Sequence, residues 1–322
     1  MNINSLKITS IDLDTAEEFW DYLSPENPIF SSSENFIYRG HSDASWGLVP
    51  SLLRKLNGKV LHPIRLYPCH EYNLRNSAND NELLEDIASN EIIFTENQFL
   101  NRFVEYCDKA GISIPSDNLE LRNTLDYTKG EIGKFFIKPT LWPNNKFNEL
   151  MAFAQHYELP TRLLDWSYRS HVAIYFAASG ALSKLDTWKL NKDMRLAVWI
   201  LDKSKIGELK DIEIIKVPSS INSNVAAQAG CFTLLRQKAQ MFQPFEGTCD
   251  LEKYIAPHHN ANNILKKITV PMNQSVRLLE LCELYGVSAA TLFPDAYGAA
   301  KAAVDNVERF VIRDIEREKA NP

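Results

Sequence analysis

Within positions 155–167 the chain carries Gln155, His156, Tyr157, Thr161, Arg162, Asp165, Trp166 and Ser167. An ordinary hydrophobic core needs far less polarity than that. The residue types limit the chemistry. A guanidinium presents a planar fork of donors to phosphate or carboxylate, so Arg162 either pairs with Asp165 or binds a phosphate. Asp165, placed just ahead of a helix, either caps that helix or supplies a carboxylate to a reacting centre. His156 can move a proton near neutral pH, and its plainer role is a structural hydrogen bond. Trp166 stacks on a flat ring or fills the core.

Two distant stretches hold matching chemistry. Tyr38-Arg39-Gly40 closes the apolar run that begins at Phe36. It reads as a central strand stopping at Gly40, which leaves Arg39 exposed at the strand end. There Arg39 either meets an anionic ligand or forms an internal salt bridge, for example with Asp165. Gly40 lets a ligand approach the backbone closely. Further on, Gln228 and Gly230 precede the apolar run CFTLL. A glutamine there hydrogen-bonds a sugar hydroxyl or simply faces water, and it cannot serve as acid or base.

Positioning these residues requires several elements. Residues 149–178 read as helix, turn, strand and helix, with Pro160 breaking the first helix. SLKITS (5–10) reads as a short strand, and Asp14 or Thr15 caps a helix through Tyr22. A turn and helix are expected around Pro50–Arg54. Two helical patterns follow at about 81–94 and 96–110, the second with Phe99, Phe103, Val104 and Cys107 on one stripe. Strands are expected at 195–202, 212–218, 230–236 and 266–271, with a loop or short helix at 219–229. A helix in QSVRLLELCELYGV has Gly286 as its C-cap, and a long terminal helix closes the chain. The sum is α+β, without a regular βαβ rhythm. Residues 61–145 read as a helical elaboration inside one domain spanning 1–322, because no Gly/Ser linker flanks them.

Composition narrows the function. The net charge of −6 and pI near 5.7 argue against a general nucleic-acid-binding surface. The five cysteines are odd in number with none at CxxC spacing, which suits reduced thiols in the cytoplasm. There is no basic, apolar leader and no run of 18 apolar residues, so no membrane span is expected. GxGxxG, GxxxxGK[ST], HExxH, GxSxG and zinc-spaced His/Cys clusters are all missing from the sequence, and no metal is called for. His258-His259 sit in a polar stretch and read as solvated.

FIYRG followed by WGLVPSLLR, then AQHYELPTRLLDWS with HVAIYFAA, then AQAGCFTL, then TLFPDAYG resembles the FRG domain family. That family is named for an aromatic-Arg-Gly motif, here Tyr38-Arg39-Gly40, and the resemblance runs from about residue 15 to about residue 310. One departure is Glu158, where the family pattern leads one to expect glycine. The resemblance implies an intracellular bacterial protein with a defence- or toxin-like role.

A weaker similarity connects the chain to ADP-ribosyltransferases. They also carry Arg-Gly or His-Gly at the end of an early strand, a polar strand running into an A-x-x-F-A helix, and a late Glu or Gln. Here Arg39-Gly40, Thr161–Ser167 running into Ala173–Ala177, and Gln228 stand in those places. The similarity implies a split-sheet core, NAD as cofactor, and Arg39, Asp165 and Gln228 as the catalytic set. Tyr38, Gly40, Gln155, His156, Tyr157, Thr161, Arg162 and Trp166 would surround the nucleotide. The expected activity is ADP-ribosyl transfer from NAD to a protein or nucleic-acid target, or hydrolysis of NAD. The alternative is a non-catalytic nucleotide- or protein-sensing module in an antiphage system, and a nuclease ranks below both. The oligomeric state is left open.

Overall fold

The run RLAVWILD is apolar at nearly every position, the pattern of a strand covered on both faces. In the computed structural model, which describes residues 8–30, 32–56, 59–60, 87–184, 193–218 and 223–320, that run lies at the heart of a seven-stranded sheet. The strands are β1 (Ser10–Asp12), β2 (Phe36–His41), β5 (Leu164–Ser167), β6 (Arg195–Asp202), β7 (Ile212–Ile215), β8 (Gly230–Leu235) and β9 (Leu265–Pro271). A separate ribbon of β3 (Lys55–Leu56) and β4 (Lys59–Val60) completes the set. The sheet order is β1-β9-β6-β2-β5-β8-β7. β1 runs parallel to β9, and the other pairs are antiparallel.

Pairing is uneven across the sheet. β6 is matched to β9 from Arg195↔Pro271 to Leu201↔Leu265, and to β2 from Phe36↔Asp202 to His41↔Ala197. β2 and β5 share one matched position, Tyr38↔Ser167. The sheet is therefore two well-paired parts, β1-β9-β6-β2 and β5-β8-β7, joined by a narrow seam.

The first six helices are α1 (Ala16–Leu23), α2 (Ser89–Ala110), α3 (Leu119–Leu125), α4 (Gly133–Ile137), α5 (Asn148–His156) and α6 (Ser170–Leu182). Thr15 and Glu18 form a reciprocal capping box at the start of α1. α6 is apolar nearly all round because it is enclosed, packing on β2 on one side and on the helix Ser275–Leu284 on the other. That latter helix ends as expected: Gly286 lies at φ +72° and the Val287 N–H reaches the Cys282 carbonyl.

The long terminal helix Ala296–Ala320 is held against α6 by a buried knot. Asp305 accepts from the Tyr175 hydroxyl at 2.6 Å and from the Lys301 ammonium at 2.9 Å. The 87–147 region packs its apolar side chains, among them Phe135, Trp142 and Phe147, onto α5 and β8. It is thus rooted on the β5-β8-β7 side of the seam.

Several boundaries differ from the sequence reading. The first strand is Ser10–Asp12 rather than 5–10, and residues 5–7 lie outside the described ones. Pro50–Arg54 holds a single 3-10 turn, Ser51–Leu53. The two helical patterns at 81–94 and 96–110 are one unbroken helix from Ser89, with 81–86 outside the described residues. Thr95, Glu96 and Asn97, where the two patterns meet, are all buried inside the helix run. Glu96 is polar because it pairs with Arg162, not because the helix stops. β7 ends at Ile215, short of the expected 218. Among the described residues no helix is long and apolar enough to cross a membrane.

Candidate functional site

The seam between β2 and β5 opens into a cleft of about 440 Å³, a size suited to a small organic ligand. Arg39 crosses its floor. Its Nη1 lies 2.6 Å from Asp165 Oδ1 and donates to the Asp165 backbone carbonyl at 2.7 Å. One guanidinium thus supplies a link between β2 and β5 where ladder pairing has ended. Arg39 is not an exposed strand end. β2 continues through His41 on its β6 side, and Arg39 is 9 % exposed.

The Arg39 Nε donates to His41 Nε2 at 3.1 Å, while Trp199 Nε1 approaches His41 Nδ1 at 3.2 Å. Both neighbours are donors, and a neutral imidazole has one acceptor nitrogen, so one of the two contacts is a hydrogen bond at a time. Burial, reinforced by the Arg39 and Arg54 charges, holds His41 well below the usual histidine range.

Asp165 keeps its charge despite its setting. Its side chain is 62 % exposed to the recessed cleft. Enclosure pushes the carboxyl upward, but the Arg39 charge and hydrogen bond outweigh this and hold it below the ordinary aspartate range. Asp165 does not cap α6. That helix has Arg169 at its N-cap position without a side-chain cap, and the Arg169 N–H is taken by Ser167 Oγ at 2.9 Å. Gln155 Nε2 donates to Asp165 Oδ1 at 3.1 Å, so the end of α5 also holds the carboxylate in place.

Gly40 lines the cleft, but its want of a side chain serves packing. A Cβ there would lie 2.0 Å from the Ala173 carbonyl oxygen and 2.8 Å from the Ala177 nitrogen, both in the backbone of α6. The glycine lets helix and strand touch.

Of the other expected residues, Tyr38, Gln155, His156, Trp166 and Gln228 line the cleft. Tyr38 is buried and its phenol is pushed up to about 12. His156 contacts the Asn224 amide, 2.5 Å from its Nε2, and burial lowers its pKa. Trp166 is core on the opposite sheet face, where its Nε1 donates to Thr233 Oγ1 at 2.9 Å. Gln228 is tethered rather than free in water, its Nε2 donating to the Leu292 carbonyl at 3.2 Å.

Three expected residues do not line the cleft. Arg162 pairs with buried Glu96, Nε to Oε1 at 2.7 Å, because Glu96 is also fixed by Trp142 Nε1 at 2.5 Å. Thr161 is buried and donates its hydroxyl to the Gln155 side-chain Oε1 at 2.5 Å. Tyr157 is 59 % exposed and packs on Phe153.

The cleft also holds residues that the sequence reading passed over. Arg54 joins Arg39 there, and its charge reaches both Arg39 and Asp165. Arg54 ends the WGLVPSLLR stretch, where a helix was expected and no cleft. Glu158 lines the cleft with φ +65°, so the position expected to be glycine does have the left-handed backbone that glycine suits. Phe176 and Phe293, 6.0 Å apart edge to face, close the apolar side.

Fold and site together define a mixed α/β protein with a cation-lined cleft at a seam in its sheet. Residues 34–185 match the family model of the FRG domain, so this segment of the chain is an FRG domain. The matched segment holds both Arg39 and Asp165, whereas Gln228 and Phe293 lie beyond it. No curated protein matches the chain, and no solved structure does.

Proposed function

We propose that the cleft binds NAD or a closely related nucleotide and that the protein transfers ADP-ribose from it to a macromolecule or to water. The observation that carries this reading is the arrangement at the seam: two guanidiniums, Arg39 and Arg54, face one carboxylate, Asp165, inside one cleft. With Arg39 paired to Asp165, the Arg54 guanidinium is left to meet a pyrophosphate, while the second acid of the cleft, Glu158, is exposed. Phe176 and Phe293 offer an apolar wall to a base.

In the reaction, the bond between nicotinamide nitrogen and the ribose C1′ would break with its electron pair leaving on nicotinamide, while a nucleophilic atom of the macromolecule or a water oxygen would bond to C1′ and release its proton to solvent. The developing oxocarbenium carbon is stabilised by a nearby carboxylate, the role given to Asp165. Gln228 orients a ribose hydroxyl and contributes no charge. An ADP-ribosyltransferase-like ancestry for the split sheet is part of this proposal. So is a bacterial defence- or toxin-like setting.

A second reading is a non-catalytic nucleotide sensor. It draws support from the 2.6 Å Arg39–Asp165 ion pair, which occupies the carboxylate, and from the amide at position 228. Incubation with NAD labelled in the adenylate portion separates the readings. Release of nicotinamide, or label on a macromolecule, supports the enzyme. Binding without turnover supports the sensor. NAD left intact, with neither label transfer nor a thermal shift, removes both.

A further inference from the structure

Two opposite charges open into the cleft without meeting. Arg54 donates through Nε to the Val49 carbonyl at 3.1 Å and forms no ion pair among the described residues. Glu158 lines the same cleft, is exposed, and its side chain makes neither a hydrogen bond nor an ion pair among the described residues. Arg39, the other cation, is already matched to Asp165.

The backbone at Glu158 adds a second observation. Its φ of +65° is a conformation that side chains bearing a Cβ rarely take. The turn is fixed by the Glu158 N–H on the Gln155 carbonyl and the Leu159 N–H on the Ala154 carbonyl, each at 3.0 Å. A glycine would satisfy this turn without strain, yet the chain places a carboxylate there, at the rim of a cation-bearing cleft. Strain of this kind persists where the side chain has a use.

A ligand that answers both charges carries an anion for Arg54 and hydroxyl donors for Glu158. We infer that Arg54 and Glu158 form a ribose-phosphate grip, in which Arg54 takes a phosphate and Glu158 accepts from the two hydroxyls of an unsubstituted ribose. This rests on the nucleotide reading above and sharpens it. A carboxylate accepts two hydroxyl protons at once, and it repels a phosphate placed on either hydroxyl. The site therefore takes nucleotides with a free vicinal diol on the adenine-side ribose and rejects those phosphorylated at the 2′ position.

Titration calorimetry with NAD and NADP tests this on the full chain. Wild type is expected to favour NAD by at least about tenfold. Glu158→Gln is expected to bring the two ligands within about threefold of each other, because the repelling charge is gone. Arg54→Ala weakens both ligands alike and keeps their ratio. Glu158→Gly loses the discrimination as well and melts higher than wild type, which shows that the loss is not unfolding. An unchanged NAD/NADP ratio in Glu158→Gln or Glu158→Gly overturns the grip and leaves nucleotide binding standing, as does a wild type that binds both ligands equally. A wild type that binds neither overturns the nucleotide reading and the grip with it.

Discussion

Arg39 and Asp165, 126 residues apart in the chain, meet at 2.6 Å where the sheet is joined by the Tyr38↔Ser167 pair alone. The same Nη1 serves the Asp165 carboxylate and its main-chain carbonyl. A side chain thus does across the seam what main-chain hydrogen bonds do elsewhere in the sheet. The contact is also the floor of the cleft, so stability and ligand binding share one guanidinium.

This pairing predicts a measurable coupling. Urea unfolding of Arg39→Ala, Asp165→Ala and the double variant is expected to give a coupling energy of about 1–2 kcal/mol, between the values for exposed and buried pairs. The half-open carboxylate sets the discount. Arg39→Lys recovers only part of the stability, because an ammonium lacks the planar fork that serves carbonyl, carboxylate and His41 together. A coupling near zero refutes the bridging role.

The Glu96–Arg162 pair gives a larger effect. Both side chains are almost fully buried, at 6 % and 2 % exposure. Arg162→Met leaves Glu96 charged without its partner and is expected to cost about 3–5 kcal/mol. Glu96→Met combined with Arg162→Met is expected to be less destabilised than either single variant, since no unpaired charge remains. Calorimetric melting of the three variants decides it. Nucleotide binding at saturating temperature margins should survive in the double variant, because neither residue lines the cleft.

Gly40→Ala tests the packing explanation for the motif's glycine. The added methyl meets the main chain of α6, which cannot rotate away as a side chain would. A loss of about 3 kcal/mol or more is expected, seen as a lower denaturation midpoint or as insoluble protein. A variant that folds with wild-type stability and merely loses ligand affinity returns the glycine to a ligand-contact role.

The histidines predict the acid limb of stability. Burial lowers His41, His156 and His171 in the folded state, with Arg39 and Arg54 adding to the effect at His41. The unfolded chain then binds more protons than the folded chain below the ordinary value of 6.5. Stability therefore falls as pH drops beneath that value, and is complete above it. Melting temperature should decline between about pH 7 and pH 5, and His41→Gln should flatten that slope. Asp165, held low, adds a further loss only below its ordinary 3.8.

Much of the architecture is legible from local pattern. RLAVWILD reads as a buried strand and is one, residue for residue. The Thr15 cap, the Pro160 break and the Gly286 stop are local signals too, and they place α1, α5 and the helix Ser275–Leu284 correctly. Arg39, Asp165, Gln155 and Gln228 were candidate site residues from the sequence, and these four reach one cleft. Such signals survive because they depend on neighbours within a turn or two of the chain.

Partner choice does not depend on near neighbours, and only the tertiary structure decided it. Arg162 and Arg39 are both arginines beside β-prone runs, yet one is consumed by Glu96 from α2 and the other meets Asp165 at the seam. Gly40 could equally have faced a ligand or a helix; the approach of Ala173 and Ala177 settled the matter. Arg54 and Glu158 carry no local signature of a site, because an isolated charge in a turn reads as solvated. Only the folding of α5, β2 and the Ser51–Leu53 turn around one cavity gives those two charges a common space.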